Sequence, residues 1–219
     1  MEGGMDEAGR GPVLGPLVLA GVVGDPQTLA ELGARDSKLV SPPKREHVAR
    51  RIRAEAQVFI AVVEASVLDL EMANQSLNAI ELQRFSSLAV QMQEAGATRI
   101  VVDAADVNAA RFGAAIQSHV QCPVESYHKA DANYPCVAAA SVIAKVERDR
   151  RMAMLARRLE PRIGRELGSG YPSDPKTVAF LHAWLAAEGE LPPETRHRWA
   201  TSKRLLASQR SLGEFSPQP

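Results

Sequence analysis

A chain of 219 residues is long enough for one sizeable core, or one core with a helical annex. Its make-up, 45% hydrophobic and 24% charged with 26 basic against 26 acidic side chains, is that of a soluble globular protein and excludes a chain too polar to fold. The balanced charge names no partner, because an acidic site can offset basic patches elsewhere and only the local field matters.

No stretch has the apolar length of a membrane span, and the N-terminus lacks the basic-then-apolar layout of a secretion signal, so no membrane contact and a cytoplasmic location are expected. Cys122 and Cys136 form no metal spacing and are expected to be buried thiols.

In chain order, residues 13 to 23 read as a buried strand. "DSKLVSPPKREHVARRI" then reads as a loop, a proline-marked start and a helix, and "AQVFIAVVEAS" as a second apolar strand. From Leu77 to Ala95 the apolar residues Leu77, Ile80, Leu82, Phe85, Leu88, Ala89 and Met92 trace a helical stripe. "TRIVVDAADV" is a short strand ending in acids, and "CPVESYH" is another extended piece. From Pro135 to Leu159 the period is helical again. Basic residues gather late, from Arg148 to Arg165 and from Arg196 to Arg204, as either a solvated helix face or a phosphate-tracking surface. The order of elements predicts a mixed sheet flanked by helices. The last dozen residues lose the helical pattern and read as a flexible tail.

The acids stand out. Asp6 and Glu7 lie just before a Gly-Arg-Gly turn, Asp103 ends the strand "RIVVD", and Asp131 precedes a helix in "HKADANYP". Carboxylates suit hard cations, which share their remaining positions with substrate phosphate, and two such ions can clamp an in-line phosphoryl displacement. Gly9, Arg10 and Gly11 combine close backbone approach with a fork suited to phosphate. The five histidines are scattered without ligand spacing, and no Ser-His-Asp set or phosphate-binding loop is evident.

"DEAGRGPVLGPLV", "DSK", "VVDAADV", "HKADANYPCVAAASVIAKVERDR" and "GSGYPSDPKT" together resemble the ribonuclease HII family, the type 2 ribonucleases H, in their archaeal and eukaryotic-like form. The blocks occur in the family's order from Asp6 to about Thr201. The resemblance implies a ribonuclease H-like mixed five-stranded sheet flanked by helices, an α/β fold with a helical C-terminal part from about residue 165. The catalytic domain would be residues 1–208 and the flexible tail residues 209–219.

It also implies hydrolysis of RNA in RNA–DNA duplexes, including single ribonucleotides embedded in DNA. The cut is expected 5′ of the ribonucleotide, leaving 3′-hydroxyl and 5′-phosphate ends, and the resemblance implies two divalent ions, Mg2+ or Mn2+, in the site. Asp6, Glu7, Asp103 and Asp131 match the family's metal-binding acids, and Asp106 is expected to be a surface or capping residue. Gly9, Arg10, Gly11 and Tyr171 match the residues that read the ribose 2′-hydroxyl, while Lys38 is a candidate phosphate contact and Lys129 a candidate phosphate or carboxylate neighbour. "RHRWATSKR" resembles the family's "RRSWKT", with Trp199 and Thr201 retained. In the tail, Gln209, Leu212 and Phe215 resemble a peptide that binds the replication sliding clamp. A metal-dependent DNA nuclease on the same fold and a non-catalytic nucleic-acid-binding module are the rival readings.

Overall fold

The computed structural model describes residues 1–34 and 41–214, with side chains through Ser208. Five strands form one mixed sheet in the order β3-β2-β1-β4-β5. Strand β1 (Glu2–Ala8) pairs antiparallel with β2 (Leu17–Gly24) and parallel with β4 (Arg99–Asp103), and β4 pairs parallel with β5 (Val124–Tyr127). β3 (Gln57–Val63) lies at the far edge. The helices are α1 (Pro26–Glu31), α2 (Pro42–Glu55), α3 (Ala65–Glu71), α4 (Leu77–Glu94), α5 (Ala109–Gln117), α6 (Pro135–Ile163), α7 (Pro175–Glu188) and α8 (Ala200–Glu214). Among the described residues none of these is long and apolar enough to cross a membrane.

The chain forms two compact units. The first comprises Met1–Gly9, Leu17–Val62 and Gln75–Asp149, and the second comprises Arg10–Pro16, Val63–Asn74 and the residues from Arg150 onward. The helical C-terminal part thus begins within α6, and two short earlier segments join it.

The first unit is built on the sheet. β2, "LVLAGVVG", is buried at every position, the pattern of a strand covered on both faces. Val18, Ala20 and Val22 pack in one core with Leu29, Ile52 and the apolar face of α6 from Cys136 to Val146. The stripe foreseen from Leu77 is the buried face of α4, where Ile80, Phe85, Leu88, Ala89 and Met92 point inward and Ser76 caps the helix by accepting the Ala79 N–H.

β1 itself, "EGGMDEA", carries no apolar alternation, and periodicity does not reveal it as a strand. It pairs with strands on both sides and lets α6 press against it where Gly4 has no side chain: a β-carbon there would lie 2.1 Å from the backbone carbon of Cys136 in the first turn of α6.

In the second unit the core gathers Val13, Leu14, Met152, Leu167, Phe180, Leu181, Trp184 and Leu205. This corrects the expected strand over residues 13–23. Residues 13–16 lie outside β2, because Gly15 has φ of 88° and Pro16 follows it. Val13 and Leu14 donate instead to the carbonyl of Gly170, and Leu14 forms an isolated bridge with Thr195.

The backbone of Gln209–Glu214 is helical as the end of α8, where the sequence pattern points to a flexible tail. The side chains of Gln209 and Leu212, and all of Lys38 and Phe215, lie outside the described residues.

Candidate metal centre and ribose-reading loop

In the first unit, Asp6, Asp103 and Asp131 each bring a carboxylate oxygen within 4.8 Å of the others. They arrive from three elements. Asp6 lies in β1, opposite Ala20 of β2, and Asp103 is the last residue of β4, which pairs parallel with β1. Asp131 sits in a one-turn 3-10 helix, Ala130–Ala132, two residues after β5 ends near Tyr127 and His128.

Lys129 sets that last turn. Its φ of 58° and ψ of 39° make it the single non-glycine residue with positive φ among the described residues. Such a conformation costs about 1–2 kcal/mol. It aims the Lys129 N–H at Asp103 Oδ1, 2.9 Å away, and starts the turn that holds Asp131. The backbone of Lys129 is therefore the carboxylate neighbour, while its side chain is exposed.

Asp6 is the electrostatic centre of the trio. It is 8% exposed, and burial, with the nearby Asp103 charge adding, pushes its carboxyl up to about 6. Hydrogen bonds from the Ser141 side chain and the Glu7 backbone N–H, the latter at 2.8 Å, oppose that rise. Lys145 donates to Ser141 Oγ at 2.9 Å, one helical turn on along α6, and its charge also favours the ionised Asp6. Ser141 and Lys145 escape sequence reasoning. Their one signal is two polar residues four apart within the apolar run "CVAAASVIAKV".

Glu7 is half-buried and is not one of the three residues whose carboxylate oxygens lie within 4.8 Å of one another. Asp106, expected at the surface or as a cap, is instead buried at 8% exposure, and the N-cap of α5 is Asn108, whose side chain accepts the Arg111 N–H. Asp106 accepts the Asn108 N–H at 2.9 Å just ahead of α5 and is paired with Arg111 at 2.7 Å, contacts that hold its carboxyl below the usual range.

Carboxylates alone, clustered at close range with one of them pushed toward neutrality by burial and a like charge, fit a hard divalent cation, which would relieve both costs. Asp6, Asp103 and Asp131 are the residues that would hold it.

In the second unit, Gly11 and Tyr171 come together. A β-carbon built at Gly11 would lie 3.7 Å from Tyr171 Cε1, and the tyrosine is 39% exposed. The loop carrying Tyr171 is pinned by Asp174, which accepts the Ser169 N–H and hydroxyl at 2.7 Å each, and by Thr177, which accepts the Gly170 N–H at 2.9 Å.

The segment after Gly11 is pinned by Arg196, which is 0% exposed. Its Nε donates to the Gly15 carbonyl and its Nη1 to the Arg10 carbonyl, both at 3.0 Å, its backbone N–H reaches the Val13 carbonyl, and its guanidinium stacks 4.9 Å from the Trp199 ring centroid. The Asp69 carboxylate fixes the next two residues, accepting the His197 N–H at 2.7 Å and the Arg198 N–H at 3.2 Å. Sequence pattern places Arg196 only in a basic cluster, and nothing in composition distinguishes a buried fork from a solvated one.

Because a lysine carries one point charge where Arg196 has a fixed fork, Arg196→Lys leaves at least one loop carbonyl unsatisfied. We expect a loss of about 2–4 kcal/mol, read by thermal melting, together with faster amide exchange at Val13 and Leu14. Wild-type protection at those amides would show that the loop does not depend on Arg196.

The Ribonuclease HII family model matches residues 3–202. Ribonuclease HII of Methanothrix thermoacetophila is 43% identical over 94% of this chain and 97% of its own length, and that of Pyrobaculum neutrophilum is 44% identical over 92% and 96%. Among solved structures, the ribonuclease HII of Archaeoglobus fulgidus in its complex with PCNA superposes with a TM-score of 0.84 at 39% identity, covering 94% of this chain and 96% of that one. The ribonuclease H2 of Pyrococcus horikoshii gives 0.84 at 35% identity, covering 95% and 98%. With its five-stranded mixed sheet and near-complete coverage, this chain belongs to the ribonuclease HII family and is an endonuclease of the ribonuclease H kind.

Proposed function

We propose that this ribonuclease H hydrolyses RNA in RNA–DNA duplexes, including a single ribonucleotide embedded in DNA, cutting on its 5′ side to leave 3′-hydroxyl and 5′-phosphate ends. The convergence of Asp6, Asp103 and Asp131 carries this reading. When bound, two divalent ions, Mg2+ or Mn2+, would supply charge neutralisation at the phosphoryl oxygens and activation of the attacking water. The three aspartates would hold them, with Glu7, next to Asp6 in the chain, as the fourth acid, and Ser141 and Lys145 would keep the Asp6 carboxylate oriented and ionised.

A ribonucleotide in DNA is marked by its 2′-hydroxyl, which both donates and accepts. Gly9, Arg10 and Gly11 offer it backbone groups at close approach, and the exposed ring and hydroxyl of Tyr171, beside Gly11, supply stacking and a polar contact. The complex of the Archaeoglobus relative with PCNA supports a sliding clamp as partner, and the tail motif Gln209, Leu212 and Phe215 is the segment of this chain proposed to bind it.

The ribose-reading role is tested by Tyr171→Ala. Binding of duplex is mostly phosphate electrostatics, so cleavage at a single ribonucleotide should fall about tenfold or more while the duplex dissociation constant moves less than about twofold. A parallel loss of both would make Tyr171 a structural residue. Replacing the ribonucleotide with its 2′-deoxy form should abolish the cut, whereas equal cutting would favour the DNA-nuclease alternative.

A further inference from the structure

Among the described residues of the second unit lie two open cavities of similar size, one with its arginines paired to carboxylates and one lined by an arginine and no carboxylate. One, of about 400 Å3, is lined by Arg151 and Arg158, but each guanidinium faces a carboxylate, Glu64 at 2.9 Å and Glu194 respectively. Its charge is neutralised, so it does not attract anions.

The other, of about 370 Å3, lies between α7 and α8 and is lined by Pro172, Val178, His182, Thr201, Arg204, Leu205 and Ser208. No carboxylate lines it, and among the described residues Arg204 has no acidic partner, in contrast to Arg162 and Lys176 of the same unit, which pair with Glu188 and Glu166. Thr201 adds a hydroxyl from the first turn of α8, a 15-residue helix whose N-terminal end carries partial positive charge. His182 and Ser208, both exposed, complete a polar rim over the buried Leu205. Pro172, in its wall, directly follows Tyr171 in the chain.

We propose that the cavity between α7 and α8 seats a backbone phosphate of the nucleic acid, with Arg204 as its charge and Thr201 as a hydroxyl donor. The inference rests on the nucleic-acid substrate proposed above and extends it by one contact beyond the ribose-reading loop. A chain phosphate suits the site better than a free anion because the cavity is open and borders the loop that presents Tyr171.

The test is duplex binding by the full-length protein as a function of salt. Neutralising one phosphate steepens the dependence of log K on log salt by about 0.9, so Arg204→Gln should flatten the wild-type slope by about one and weaken binding at 0.1 M salt about five- to tenfold. Arg204→Lys should keep the slope, and Arg53→Gln, an exposed arginine of α2 outside the cavity and outside the late basic runs, should leave it unchanged. A slope unaffected by Arg204→Gln, or flattened equally by Arg53→Gln, would overturn the assignment. So would saturable binding of inorganic phosphate that Arg204→Gln removes while the duplex slope stays the same, since the seat would then belong to a free anion. Wild-type protein that binds and cuts the duplex while the Arg204 arms fail overturns this subsite alone. Wild-type protein that does neither overturns the substrate reading and the subsite together.

Discussion

Asp6→Asn should abolish turnover and, without metal, make the protein more stable. The first effect follows from the loss of a charged ligand: several kcal/mol of transition-state stabilisation depend on the ions, so the rate at saturating Mg2+ should drop about a thousandfold or more. The second follows from the environment of Asp6. Its pKa is raised to about 6 from an unfolded value near 3.8, first by burial and then by Asp103. The folded state therefore prefers this group protonated. The stability that preference contributes is fully present below about pH 3.8 and is lost as pH rises through about 6.

With chelator at pH 7.5, ionised Asp6 costs the fold about 3 kcal/mol, and removing the charge should raise the melting temperature on the order of 5–10 °C. At pH 4 the gain should nearly vanish. Added Mg2+ should raise the wild-type melting temperature more than that of the variant. A variant that retains near wild-type activity, or one that is destabilised at pH 7.5, would mean that Asp6 serves packing rather than a cation.

Gly4→Val should do the opposite, damaging the fold first and activity as a consequence. A β-carbon at position 4 meets the backbone of Cys136 and Val137 at 2.1 to 2.4 Å, where no side-chain rotation can relieve it. Either β1 or the first turn of α6 has to move, at a cost of about 3 kcal/mol or more. Asp6 is two residues on, so even a protein that folds should bind metal poorly. Gly3→Ala is the control. Its β-carbon meets the terminal methyl of Met92 at 2.6 Å, the end of a flexible side chain, and the cost should be clearly smaller. Denaturant unfolding of the two variants decides it, and equal losses would mean that the β1–α6 approach is not what confines position 4.

Elements with long periodic patterns could be read directly from the sequence. α2, α4 and α6 announce themselves by proline starts or apolar stripes, and β3, β4 and β5 by runs of Val and Ile or bounded extension. β1 could not be read this way, because its sequence "EGGMDEA" is selected for what it must accommodate and carry: glycines where a helix presses in, and acids for the site.

The three clustered aspartates were legible as acids near strand and turn ends, but their convergence depends on β1 and β4 lying parallel and adjacent, which no local pattern encodes. The roles of Arg196 and of Ser141 with Lys145 were hidden for a related reason. Each acts through a buried hydrogen bond to a partner distant in sequence, from Arg196 to Gly15 and Arg10, and from Ser141 to Asp6. Lys129 was legible as a cation, while what the fold uses is its backbone N–H, fixed by a left-handed conformation that sequence favours only in glycine and asparagine.

The central claim, a metal-dependent ribonuclease that recognises one ribose in DNA, is tested most directly by end-mapping the products from a DNA duplex containing a single ribonucleotide, with Mg2+ or Mn2+ and with chelator. The account predicts one metal-dependent cut on the 5′ side of the ribonucleotide, with a 3′-hydroxyl on one product and a 5′-phosphate on the other. Cleavage that persists in chelator, falls elsewhere, or proceeds equally on the all-DNA duplex would contradict it.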